Sequence, residues 1–354
     1  MKIALLTFFG SDNYGAILQS YATIKAFETY GHEVELVNYI IPEPPRSWIK
    51  KLMLYPKHLK FEGFRRKYFH NITRKYNSLS DLQCDPPKAD CYLVGSDQTW
   101  NPYLSRDKAR GFFLDFGGDS VIRAAYAASF GVAEWKDSKW ICRDDAECLL
   151  KKFHLISVRE RSGVEIVNNT FGISKVSQVV DPVLLFDKYF ELTGEIVPCE
   201  EIVLYKFVNS DVFYQKCKEI GVSLNMPVRS LGSIRRIRGV KCSYPDNLEG
   251  WIKRIAEARF VITDSFHGTV ISLLYQKQFV VWPGERVTRL QSLLEALELT
   301  DRFISSMDSV DNIIERLLSP IDYSRVNVEL GVMRQKSINV IEQISNLFPI
   351  DSPN

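Results

Sequence analysis

At 354 residues, 45% hydrophobic and 25% charged, the chain has an ordinary globular composition, and its length exceeds what one hydrophobic core typically serves, so two domains are expected. A net charge of +2 gives no nucleic-acid footprint by itself, no window holds the roughly 18 uninterrupted apolar residues of a membrane span, and the first residues lack a signal-peptide cleavage pattern. The seven cysteines include no Cys-x-x-Cys pair and the five histidines show no ligand spacing, so the expectation is a reduced, cytoplasmic protein with no metal site.

The apolar run 3–9 predicts a buried parallel strand stopped by Gly10. Ile17, Tyr21, Ile24 and Phe27 recur at helical spacing, Gly31 closes that helix, and 34–39 reads as the next strand. This is a β-loop-α-β unit, which calls for a right-handed crossover in a parallel sheet. The same rhythm predicts strands at 91–95, 121–129, 155–160 and 176–181, each running into a polar or glycine-bearing loop. A helix follows "SVRERSG", with Val164, Ile166 and Val167 apolar. The rhythm restarts after "DPVLLF", with strands at 201–207, 259–263 and 279–282 and helices at 211–220, 247–257, 268–276 and 287–298. A long last helix, about 324–347, carries Leu330, Met333, Ile341 and Ile344 on one stripe. The resulting division is a first α/β domain over 1–190, a second over 191–323, and a helix over 324–348 packing back on the first. The segment 40–46 reads as a proline-rich loop.

Open parallel sheets bind ligands at the carboxyl ends of their strands, so the loops there are the candidates. In "GSDNYG" (10–15), Asp12, Asn13 and Tyr14 stand between two glycines at a helix start, where unpaired N–H groups suit an anion or a hydroxyl-rich ligand. The plainer alternative is a tight turn in which Asp12 or Asn13 caps the helix. In "VGSDQTWNP" (94–102), Asp97, Gln98, Trp100 and Asn101 put a carboxylate, amides and a ring on one loop, a combination suited to a sugar. Arg159 ends a strand in "SVRERSG", where its planar fork suits a carboxylate or phosphate, or an ion pair with a neighbouring acid. In "VITDSFHGTVISLL" (261–274), His267 lies at a helix start after a buried strand, placed for proton transfer, with Ser265, Gly268 and Thr269 beside it to hold an anion. Arg286 and Arg289 form a possible second anion clamp.

Taken in order, "FGSDNYGAILQSYA", "VGSDQTWNP", "SVRERSG", "VDPVLL" and "ITDSFHGTVIS" resemble the polysaccharide pyruvyl transferase family over about residues 1–300. The resemblance implies transfer of the pyruvyl group of phosphoenolpyruvate to a sugar as a ketal. It also implies a GT-B-like fold of two Rossmann-like domains facing a cleft. No cofactor is implied, phosphoenolpyruvate being the donor substrate. His267 matches the family's acid/base histidine, and Arg159 an arginine that holds the donor. Many members carry Arg-Leu-His where this chain has Ser265-Phe266-His267. Arg289, or the basic loop with Arg235, Arg236 and Arg238, would then supply the missing charge. Asp97 or Asp12 would orient or deprotonate acceptor hydroxyls, and Asn13, Tyr14, Gln98, Trp100 and Asn101 would bind the acceptor.

Residues 48–76 are rich in lysine and arginine, interleaved with aromatics, and contain a single acid, Glu62. The resemblance implies an acceptor built on polyprenyl diphosphate at the inner face of the cell membrane, so this stretch is read as a peripheral membrane contact and not as a nucleic-acid site. A solvated amphipathic helix is the plainer alternative. Two other functions stay open: a GT-B glycosyltransferase using a nucleotide sugar, and a relative that binds a glycan or anion without turnover.

Overall fold

The computed structural model describes residues 1–42, 47–207, 210–284 and 287–347. The loop read at 40–46 lies partly outside them, and Arg286 lies wholly outside. The chain divides into two compact units. The first comprises the described residues of Met1–Pro44, Tyr68–Phe186 and Leu330–Asn354, and the second those of Pro45–Lys67 and Asp187–Glu329.

Unit 1 is built on seven parallel strands: β1 (Lys2–Leu6), β2 (Glu33–Asn38), β3 (Ile72–Lys75), β4 (Cys91–Val94), β5 (Ile122–Ala128), β6 (Leu155–Val158) and β7 (Val176–Gln178). Their order is β3-β2-β1-β4-β5-β6-β7. Apart from Lys2, the residues of β1, β4 and β5 are buried, which is why these strands read as largely apolar runs. One core packs Leu6, Val94 and Val158 of the sheet against Trp100, Phe112, Phe113, Phe130 and Phe171. β1 is shorter than the expected 3–9, because the chain turns at Thr7, whose carbonyl accepts from Phe9 N at 3.1 Å. The helix after "SVRERSG" runs over Arg161–Glu165 and continues as a π-turn over Ile166–Thr170, burying Ile166 and Val167.

Unit 2 repeats the plan with five parallel strands: β8 (Cys199–Tyr205), β9 (Val228–Leu231), β10 (Lys241–Ser243), β11 (Ala258–Thr263) and β12 (Gln278–Val281), ordered β10-β9-β8-β11-β12. Its core sets Ile202, Leu204, Phe260, Ile262 and Val280 against Phe213, Ile220, Trp282, Ile313 and Leu317. In both sheets the order reverses beside the first strand, at β1/β4 and at β8/β11, as in two Rossmann-like domains.

The last helix, Tyr323–Asn346, begins in unit 2, where Tyr323 Oη donates to the carbonyl of Lys277. From Leu330 on it belongs to unit 1. There Val180 N donates to Ser337 Oγ at 2.9 Å, Arg334 Nε donates to Leu184 O at 2.6 Å, and Val340, Ile341 and Ile344 are buried. No described helix is long and apolar enough to cross a membrane.

Candidate active site

The two loops at the order reversal of unit 1 follow β1 and β4, and buried polar side chains tie them together. Gln19 Nε2 donates to Thr7 Oγ1 at 2.7 Å, and Thr7 Oγ1 donates to Ser96 O at 2.9 Å. The helix Tyr14–Thr29 starts where Asn13 Oδ1 accepts from Ala16 N at 3.2 Å, so Asn13 is the N-cap. Asp12 and Asn13 remain partly exposed, whereas Tyr14 is buried in the first helical turn and offers no open face. Gly15 lies inside the helix, not in the turn. At Gly10 a Cβ would come within 2.7 Å of the Ile40 side chain, so packing of Ile40 explains that glycine.

Asp97 sits just past β4 at φ 77°, a left-handed conformation that few non-glycine residues adopt. Its carbonyl accepts from Ser129 N at 3.0 Å and from Thr99 N at 2.8 Å, and its Oδ1 accepts from Gln98 N at 2.8 Å. The strained backbone therefore joins the ends of β4 and β5 and fixes a partly exposed carboxylate over the sheet. Gln98 and Asn101 are buried and bonded to each other, Asn101 Nδ2 donating to Gln98 Oε1 at 3.2 Å. Asn101 Oδ1 caps the short helix Pro102–Ser105. Trp100 corrects the sequence reading. Its indole is sealed in the core, stacked on Phe113 at 5.6 Å, and its Nε1 donates to Phe112 O at 3.0 Å. A ring so enclosed cannot be a sugar platform. A pocket of about 230 Å³ lies beside it, with Trp100 among its lining residues together with Asn101, Tyr103, Glu134 and Trp135.

Arg159, just past β6, is the centre of a buried charge cluster. Its Nη1 donates to Asp181 Oδ2 at 2.5 Å and to Ser96 Oγ at 3.2 Å. Asp97 lies 3.7 Å and Glu160 4.0 Å away. Burial works against the charged form, but Asp181, Asp97 and Glu160 outweigh it and hold the guanidinium above its ordinary range. Glu160 Oε1 in turn accepts from Ser129 Oγ at 2.7 Å and from the N–H groups of Phe130 and Gly131. The structure thus shows the ion-pair alternative for Arg159. Three carboxylates, Asp181, Asp97 and Glu160, lie around it and tie it to the Asp97 loop.

In unit 2 the corresponding order reversal brings together the ends of β8 and β11. Ser265 is the N-cap of the helix Phe266–Leu274: its Oγ accepts from Gly268 N at 3.2 Å, and its own N–H donates to Thr263 Oγ1 at 3.0 Å. Thr269 Oγ1 donates to Ser265 O at 3.1 Å. These groups, expected to hold an anion, instead build the helix start. A Cβ on Gly268 would lie 2.6 Å from Thr263 Oγ1 and 3.2 Å from Tyr205, so that glycine serves helix–sheet packing. His267 occupies the second helical position, buried, with its ring edge-on to Phe266 at 5.3 Å. Arg289 also lies near Phe266, its guanidinium 5.6 Å from the ring centre.

Lys206, which the sequence reading passed over, directly follows β8. Its side chain is 4% exposed, with Nζ 3.8 Å from Asp264 Oδ2 and 3.5 Å from Trp282 O. The ammonium also lies 4.6 Å from the ring centre of Phe213. Burial holds it below its ordinary range, against the pull of Asp264. Asp264 itself accepts from Phe207 N at 2.8 Å. A lone lysine after an apolar strand was the available signal. Arg235 and Arg238 lie on the loop after β9, beside a pocket of about 590 Å³. Arg235 pairs there with Asp211 and is exposed, as is Arg236. Among the described residues, no group of three or more His, Cys, Asp and Glu could hold a metal ion.

No curated protein sequence matches the chain. Among solved structures it is similar to the UDP-GlcNAc 2-epimerase of Neisseria meningitidis, with TM-score 0.56 and 11% identity over 98% of this chain and 99% of that one. It is also similar to a putative UDP-N-acetylglucosamine 2-epimerase of Listeria monocytogenes, with TM-score 0.59 and 10% identity over 99% and 97%. A third likeness is to the spinosyn forosaminyltransferase SpnP, with TM-score 0.50 and 10% identity over 98% and 99%. At such identities the likeness establishes the fold alone, a GT-B architecture of two Rossmann-like domains, in accord with the strand orders. In sequence, the polysaccharide pyruvyl transferase model matches residues 13–282, a span that holds Asn13, Asp97, Arg159 and His267, and the chain belongs to that family.

Proposed function

We propose that the chain transfers the pyruvyl group of phosphoenolpyruvate to a sugar of a surface-polysaccharide precursor carried on polyprenyl diphosphate, forming a pyruvate ketal. The observation that carries this reading is the place of His267. It opens a helix outside the carboxyl end of β11, beside the strand-order reversal of unit 2. Ketal formation needs a proton at C3 of the enol phosphate while a sugar hydroxyl attacks C2; phosphate then leaves and a second hydroxyl closes the ring. His267 is the proton donor in this scheme. Arg289 and Lys206 carry positive charge toward the donor's carboxylate and phosphate, in place of the arginine absent at Ser265. On unit 1, Asp97 orients or deprotonates an acceptor hydroxyl, with Asp12, Asn13, Gln98 and Asn101 as the further polar groups of the acceptor loops. A polyprenyl-linked acceptor sets the reaction at the inner face of the cell membrane, with the protein on the cytoplasmic side.

Phosphate release tests this. The purified chain with phosphoenolpyruvate and a polyprenyl-linked glycan should liberate inorganic phosphate only when both are present, and His267→Ala should not. Release of UDP from a UDP-sugar would instead favour a glycosyltransferase, and no release from either would favour a binding protein.

A further inference from the structure

The helix Trp48–Tyr68 changes character along its length. Its second half buries Phe61 and Phe64, and Arg65 pairs with Glu62 at 2.5 Å. Pro56 interrupts the hydrogen-bond ladder between the halves, since it has no N–H to give. The first half leaves its apolar side chains in solvent: Trp48 is 74% exposed and Leu52 66%, and Ile49, Met53, Tyr55 and Leu59 are exposed as well. At 3.6 residues per turn, Trp48, Leu52, Tyr55 and Leu59 share one side, with Ile49 and Met53 adjoining it. Monomeric proteins rarely expose so continuous an apolar strip without a use for it. Exposed cations flank the strip: Lys51 on one side and Lys60 on the other, with Arg66 and Lys67 at the end. Glu62, the helix's one acid, is already taken by Arg65.

We infer that this helix is a membrane anchor that lies in the headgroup layer of an anionic bilayer, with Trp48, Leu52, Tyr55 and Leu59 entering the acyl boundary and the lysines meeting lipid phosphates. The charge decides the occupant. A protein groove for an amphipathic helix needs only the apolar face, whereas an apolar strip rimmed by lysine, with an aromatic residue at its start, matches a negatively charged interface. The anchor rests on the transferase reading for its purpose, which is to hold the enzyme where a polyprenyl-linked acceptor resides.

Vesicle sedimentation of the full chain tests it. The protein should pellet with phosphatidylglycerol-containing vesicles, much less with pure phosphatidylcholine, and less again at high salt. Trp48→Ser with Leu52→Ser should lower partitioning by more than about tenfold, and Lys51→Ala with Lys60→Ala by about twenty-five-fold, at roughly fivefold per charge. These positions are solvent-exposed, so circular dichroism should show both variants folded. No pelleting with anionic vesicles, or undiminished pelleting of both variants, overturns the inference. So does a concentration-dependent dimer that Trp48→Ser with Leu52→Ser abolishes, which would make a second copy the occupant. Binding to vesicles needs neither donor nor acceptor, so failure here leaves the transferase reading intact, and absence of phosphate release leaves the anchor to be judged by sedimentation.

Discussion

Arg159 and Asp181 meet at 2.5 Å with side chains 2% and 0% exposed, joining the chain just past β6 to the residue three places beyond β7. Removing one partner of such a pair leaves the other charged and desolvated. Arg159→Ala should therefore cost about 3–5 kcal/mol in urea unfolding, before any effect on donor affinity. Arg159→Met combined with Asp181→Leu should recover much of that loss. If Arg159→Ala unfolds like the wild type and only the donor constant moves, Arg159 is a ligand-binding residue after all.

Asp97 offers a cleaner separation of fold from chemistry. Asn tolerates its left-handed φ as well as Asp does, so Asp97→Asn removes the charge and keeps the turn. Melting temperature should stay close to that of the wild type while turnover falls by ~10²–10⁴, the range for loss of a general base. Unchanged turnover in Asp97→Asn would leave the carboxylate only its structural task beside Arg159.

Ser265 and Arg289 should divide in the same way. Ser265→Ala removes an N-cap and should cost about 1 kcal/mol of stability, with the donor KM nearly constant. Arg289→Ala should raise the donor KM about tenfold or more, in keeping with ~1.5–3 kcal/mol for a charge-assisted bond, and leave the acceptor KM alone. Steady-state kinetics with each substrate varied separately distinguish the two. A rise in the donor KM for Ser265→Ala would mean that its hydroxyl contacts the donor rather than the helix.

Lys206 predicts a pH signature. Burial lowers its folded-state value below the ordinary 10.5, so between those two values the folded protein binds fewer protons than the unfolded chain, and stability contributed at this site rises with pH. Lys206→Met lacks that gain. Its unfolding free energy relative to the wild type should be highest near neutral pH and decline as pH approaches 10.5. A difference that stays flat over this range would show that the ammonium is not held below its ordinary value.

The pattern of what was legible in the sequence has physical causes. Buried parallel strands such as β1, β4 and β11 are apolar on both faces and end in abrupt polar turns, so the chain displays both their position and the ligand-side loops. β3 and β10 are edge strands with mostly exposed residues, and their polar sequences carry no strand signal. A cap at Asp12 or Asn13 is legible as an alternative because capping is local, and the structure takes it at Asn13. The partner of Arg159 was not identified, since Asp181 lies on a neighbouring strand connection 22 residues away. Trp100 was misassigned because an aromatic ring beside amides reads the same in a sugar site and in a core; the ring's neighbours decide, and those come from remote segments.

Mass spectrometry of the acceptor tests the central claim most directly. After incubation with phosphoenolpyruvate and the enzyme, the lipid-linked glycan should gain the mass of one pyruvate less one water, with no gain when His267→Ala replaces the wild type. A glycan unchanged by the wild type across a panel of polyprenyl-linked acceptors, or one that gains a hexose from a sugar nucleotide instead, would contradict the account.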